Sequence, residues 1–157
     1  MVVNMDETQD LEIRRRFSAP PQKVWRCWTD PDLFRQWWVP EPVTIQRAEL
    51  DLRPGGRFWW VADIPGHGEM EQDFCFLDVV PGERIVFTDL MRAGWRPAKP
   101  MFGFTAVIAM TAQDGGTAYS ARAMHQTPEG RRRHADMGFT EGWGAVADQL
   151  GRLAERI

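Results

Sequence analysis

In TAYSARAMH, residues 117 to 125, a tyrosine and a histidine stand an even number of positions apart, so in a strand both side chains leave the same face. Tyr119, Ala121, Ala123 and His125 share that face; Ala118, Ser120, Arg122 and Met124 share the other, which Arg122 marks as the outward one. A histidine that titrates near neutrality can act as a general base, and a phenol can donate a hydrogen bond. Those are the minimum parts for an enzyme. No third group is evident to orient the imidazole, and a histidine at a strand end equally serves structure or faces solvent. The catalytic residues are left unassigned.

A second polar cluster, GHGEMEQD, sets His67, Glu69, Glu71 and Asp73 at one strand parity. A metal site needs ligands that converge from several directions, whereas side chains spaced along one strand diverge. The cluster reads as a solvated rim, and neither metal nor cofactor is expected. Nucleophile elbows, phosphate loops and dinucleotide fingerprints do not occur. Cys27 and Cys75 lie among bulky apolar neighbours and read as buried free thiols. The arginine runs 14–16 and 131–133 are flanked by acids and read as solvated faces.

The elements that position these residues follow from periodicity. DLEIRRRFSA alternates Leu11, Ile13 and Phe17 with charged residues, Arg15 excepted, and predicts a strand. Ser18 and the prolines after it open a helix carrying Val24, Trp25 and Trp28, and Asp30-Pro31 restarts a second short one. From position 43 strand and turn signals alternate: RPGG, PGER and QDGGT mark reversals, and the last makes 101–125 a hairpin. Phe74 to Val80 is apolar on both faces, which suggests a bulge. Thr127-Pro128 caps a long helix running to the C-terminus, along which Phe139, Trp143, Val146, Leu150, Leu153 and Ile157 form one stripe. Its natural partner is the sheet. The order predicts an α+β fold in which a curved antiparallel sheet of about six to seven strands lies around a long C-terminal helix.

Two features point to space inside that fold. Alanines on the inner face of the last hairpin leave room, and Gly138, Gly142 and Gly144 cost about 1 kcal/mol each in a helix relative to alanine. Close backbone approach, a kink, or room for a ligand would each offset that cost. A fully packed interior is the plainer alternative.

With 157 residues and a net charge of -3, the chain suits one domain, 1–157, with 1–9 as a flexible N-terminus; no basic balance points to nucleic acid. Nothing approaches the roughly 18 apolar residues of a membrane span, and no secretory signal opens the chain, so the expected location is cytoplasmic. Eight tryptophans are the compositional anomaly, two of them in DPDLFRQWWVP, residues 30–40. Aromatics in such numbers form a core or a pocket wall.

In series, FSAPPQKVWRCWTDPDLFRQWWVP, DLRPGGRF, PGERIVFT, GGT and MGFTEGWGAVADQLGRL resemble the family named for the activator of Hsp90 ATPase, homologue 1, within the START-like (SRPBCC) superfamily. The resemblance covers roughly residues 11–155. It implies the helix-grip fold, with an apolar cavity between sheet and helix and with Phe34, Trp37 and Trp38 on a short helix closing one end of it. Val39 departs from the glycine common in the family, implying a stiffer loop. The eukaryotic activator's additional N-terminal domain and its motif have no counterpart in the few residues before the first strand, so the activator's role transfers poorly.

The leading expectation is a binding protein for a small apolar molecule, lined by Trp38, Phe58, Trp60, Phe87, Phe104, Tyr119, Ala121, His125, Met137 and Trp143, with Trp37 and Trp95 in a lid. One alternative is a cavity enzyme of cyclase or hydrolase type, built on His125 and Tyr119. Another is a co-chaperone or other module with a protein partner, using the 91–101 loop around Trp95, which serves equally as a lid. Oligomeric state is not legible.

Overall fold

Alternating apolar residues give β1 (Asp10–Phe17), with Leu11, Ile13 and Phe17 buried on one face. The computed structural model describes residues 4–157. Residues 1–3 of the stretch expected to be flexible lie outside the described residues. Its later part is tied down: Gln9 Nε2 donates to the His125 carbonyl at 2.9 Å, and the Asp6 amide donates to Asp10 Oδ2 at 2.9 Å.

Prolines at the first turns start α1 (Pro21–Thr29) and α2 (Pro31–Phe34), and the Asp30 carboxylate accepts from the Asp32 amide to cap the second. Ser18 makes no such cap; Pro20 occupies the position before α1. The strands β2 (Thr44–Leu50), β3 (Arg57–Ile64), β4 (Gly68–Val80), β5 (Arg84–Thr88), β8 (Phe104–Gln113) and β9 (Gly116–His125) join β1 in one antiparallel sheet of seven strands, ordered β1-β9-β8-β5-β4-β3-β2. Between β5 and β8 a small ribbon, β6 (Met91–Arg92) with β7 (Arg96–Pro97), stands apart. Asp114 and Gly115, both at positive φ, close the β8–β9 hairpin as the Asp-Gly signal requires. The register of β4 against β5 shifts between Phe76 and Asp78, which is the bulge that its two apolar faces suggest.

The C-terminal helix is not continuous from Thr127. It divides into α3 (Pro128–Asp136), capped by the Thr127 hydroxyl, and α4 (Phe139–Arg156), with Gly138 between them at φ 95°. Only glycine adopts that conformation without strain. Each helix glycine that sequence reading singled out has its own reason. Gly138 makes the break. Gly144 lets Arg15, the charged exception on the inner face of β1, cross α4 and donate to Asp148 at 2.8 Å; a Cβ there would lie 2.7 Å from the guanidinium. Gly142 faces open space.

The sheet grips α4, whose Phe139, Ala147, Leu150 and Leu153 are buried against it, while α1 and α2 close one end. This is the helix-grip fold.

Candidate functional site

Tryptophans dominate the closed end. Trp28 is fully buried, its ring centroid 5.0 Å from Trp37 and 5.1 Å from Trp38, with Phe34, Phe58 and Phe87 next around it. The crowded segment after α2 is fixed by polar contacts that are not legible from its sequence. Trp37 Nε1 donates to the Cys27 carbonyl at 2.8 Å. Buried Gln149 on α4 donates to the carbonyls of Trp37 and Val39, at 3.0 and 2.8 Å, and accepts from the Glu41 amide. The segment is anchored to α4, which is why so short a piece holds so much aromatic surface.

Above this plug lies a pocket of about 230 Å³ between the sheet and α4, with Met101 at its exposed edge. Trp37, Trp38, Trp60, Phe87, Phe104, Tyr119, Ala121 and Trp143 line it, as does the helix glycine Gly142, and so do residues not foreseen: Ile13, Phe74, Gln72, Asp89, Phe102 and His134. Four expected residues stand elsewhere. Phe58 is on the inner face but lies in the core, flat against Phe76 at 4.9 Å. Met137 is 69% exposed, because the break at Gly138 turns the chain before α4 begins. Trp95 is 54% exposed, and its ring covers Gly55, where a Cβ would come within 2.8 Å of it; it is pinned to the β2–β3 turn, away from the pocket. His125 sits one ring behind the wall, hydrogen-bonded to His134.

That pair corrects the view that nothing orients His125. The Gln9 carbonyl faces His125 Nδ1 at 2.9 Å, and His125 Nε2 meets His134 Nδ1 at 2.8 Å. His134 is packed flat on Phe102, with ring centroids 4.1 Å apart, and edge-on to Phe139 and Trp143. Burial, then the neighbouring His125 and Arg133, pull its pKa down to about 4; burial lowers that of His125 as well. His134 directly follows Arg131 to Arg133, a run that reads as a solvated face. The available signal was its i+4 spacing from Gly130, the two buried positions of α3.

Other polar groups on the wall are unequal. Asp89 is spent: its carboxylate accepts from the amides of Phe102, Gly103 and Phe104. Tyr119 accepts from Trp28 Nε1 at 3.2 Å, and since an indole only donates, the phenol proton has no acceptor among the described residues. Burial pushes that phenol's pKa up. The buried Trp60 Nε1 has no partner either.

The acidic row on β4 faces outward. Trp59 Nε1 donates to Glu71, Arg57 pairs with Asp73 at 3.3 Å, and the Arg57 guanidinium lies 4.8 Å from the Trp59 ring centre. No group of three or more potential metal-ligating side chains is gathered among the described residues. Cys27 and Cys75 are free and buried, and burial raises the Cys27 thiol to about 11.

The model of the activator of Hsp90 ATPase homolog 1-like protein family matches residues 18–155. The chain belongs to that family. Among solved structures, a Nitrosomonas europaea protein is 39% identical with a TM-score of 0.92, each chain covered to 97%. A Mycobacterium smegmatis protein is 25% identical, TM-score 0.79, covering 98% of this chain and 95% of its own. An AHSA1-like protein from Aeromonas hydrophila shares the fold at 19% identity, TM-score 0.70, with 94% and 92% covered. No curated protein matches. Val39 has a buried side chain and a carbonyl held by Gln149, so the loop entering the pocket wall is fixed at both.

Gly142 gives a local test of how open the wall is. A Cβ there meets nothing within 4 Å. Gly142→Ala is expected to raise stability by about 1 kcal/mol through helix propensity alone, measured as an upward shift of the urea midpoint at unchanged slope.

Proposed function

We propose that this protein binds a small, mostly apolar molecule in the pocket between the sheet and α4. The observation that carries the reading is an apolar space of about 230 Å³ whose wall holds Trp60 Nε1 with no hydrogen-bond partner and the Tyr119 phenol with no acceptor for its proton among the described residues. The volume lies below the usual range of about 300–1,000 Å³ for drug-sized ligands, but above the roughly 150 Å³ that holds benzene. The ligand is therefore of the size of one substituted ring. Binding comes from burial, and the polar groups supply direction. The free thiols fit a reducing compartment such as the cytoplasm, and among the described residues no helix is long and apolar enough to cross a membrane.

An enzymatic reading would have to use the histidine pair. With its pKa pulled down to about 4, His134 is a weak base at neutral pH, which favours binding over catalysis. A protein-partner reading rests on half-exposed Trp95 and Met101; the pocket is the more specific feature.

Titration with p-xylene, followed by the shifts of tryptophan indole resonances, tests the pocket. Trp143→Ala removes a wall and is expected to weaken p-xylene binding by roughly tenfold. Equal affinity in the variant, or no binding to the wild type, would overturn the reading.

A further inference from the structure

We propose that the ligand is a hydrogen-bond donor, a phenol or small alcohol, whose O–H is received by Nε2 of His134. The inference rests on the pocket reading and adds the polarity of the molecule it admits.

The hydrogen-bond chain behind His134 fixes which nitrogen carries which proton. A carbonyl only accepts, so His125 Nδ1, 2.9 Å from the Gln9 oxygen, must carry a hydrogen. In the neutral ring, Nε2 of His125 is then a lone pair. Its neighbour at 2.8 Å, His134 Nδ1, must therefore donate to it. The remaining nitrogen of His134, Nε2, is left as a lone pair. No residue of the protein donates to that atom among the described residues. His134 as a residue is only 7% exposed, and it forms part of the pocket wall.

Flipping the ring would keep its plane on Phe102 but would set a carbon opposite His125 Nε2 and break that hydrogen bond. The acceptor is thus held in place by its neighbours. An acceptor held in an otherwise apolar wall favours a ligand that satisfies it over an equally shaped one that does not, because displacing water from it without replacing that hydrogen bond is costly. Both histidines are held toward their neutral forms by burial, as this tautomer chain requires.

The experiment uses the full chain with 15N-labelled histidine. Long-range 1H–15N spectra at pH 7 are expected to show a lone-pair Nε2 on His134, identified by its loss in His134→Phe. p-Cresol should move that resonance and p-xylene should not. In His134→Phe, p-cresol binding is expected to weaken roughly three- to tenfold, with p-xylene affinity nearly unchanged. A protonated Nε2 in the free protein would overturn the proposal whether or not the variant folds. Binding of both molecules with the Nε2 resonance unmoved would overturn it and leave the pocket reading intact. Failure of both to bind would remove the pocket reading and this inference with it.

Discussion

Trp28→Ala is expected to cost about 3–5 kcal/mol of folding stability, a large share of the roughly 5–15 kcal/mol that a domain possesses. Trp28 is fully buried and touches the rings of Trp37, Trp38, Phe34, Phe58 and Phe87, so it joins α1, the segment after α2, and the sheet. Truncation removes these contacts together and leaves a void that the anchored Trp37–Val39 segment, held by Gln149, is poorly able to fill. It also takes the indole donor from Tyr119, which sits on the pocket wall. Trp28→Phe keeps an aromatic ring and loses the N–H, and is expected to fall between the two. Chemical denaturation followed by circular dichroism measures both. A loss under about 1 kcal/mol for Trp28→Ala would show that the aromatic plug is not a structural unit.

The plug also shows how far sequence reading reaches. Strand parity has period two, so Phe104, Tyr119 and Ala121 were assignable to the inner face without coordinates. Parity gives the face and not the depth along it. Phe58 and Trp60 share a face, yet Trp60 reaches the pocket while Phe58 is stacked within the core. Helical phase was lost where Gly138 breaks the chain, which sent Met137 outward and concealed His134 in a run of arginines. The Gln149 anchor was illegible for another reason: one glutamine beside an apolar stripe carries no mark of the carbonyls it will meet from a loop more than a hundred residues earlier. Trp95 was placed by a local fit, a ring over a glycine turn, that only the folded chain brings together.

Acidification is expected to destabilise the protein well above the range in which carboxylates titrate. The folded state holds His134 down to about 4 through burial, His125 and Arg133, while the unfolded chain takes up the proton near 6.5. Above about pH 6.5 neither state is protonated at this site and its contribution is constant. As pH falls below that value the unfolded state binds a proton that the folded state refuses, so stability declines until the folded ring itself protonates near pH 4. The accumulated loss is on the order of 3 kcal/mol for His134. His125 acts in the same direction. Asp10 and Asp89 face it and moderate its shift, whereas Arg131 deepens it. Urea denaturation at intervals between pH 7 and 4.5 should therefore show a falling midpoint. His134→Phe, which can keep the stack on Phe102, should remove most of the slope. A midpoint that stays level over that range in the wild type would mean that the folded pair takes up protons as readily as the unfolded chain does. On protonation the shared positive charge leaves Nε2 of His134 a donor, so the tautomer chain from Gln9 to the pocket would then hold only above about pH 6.5.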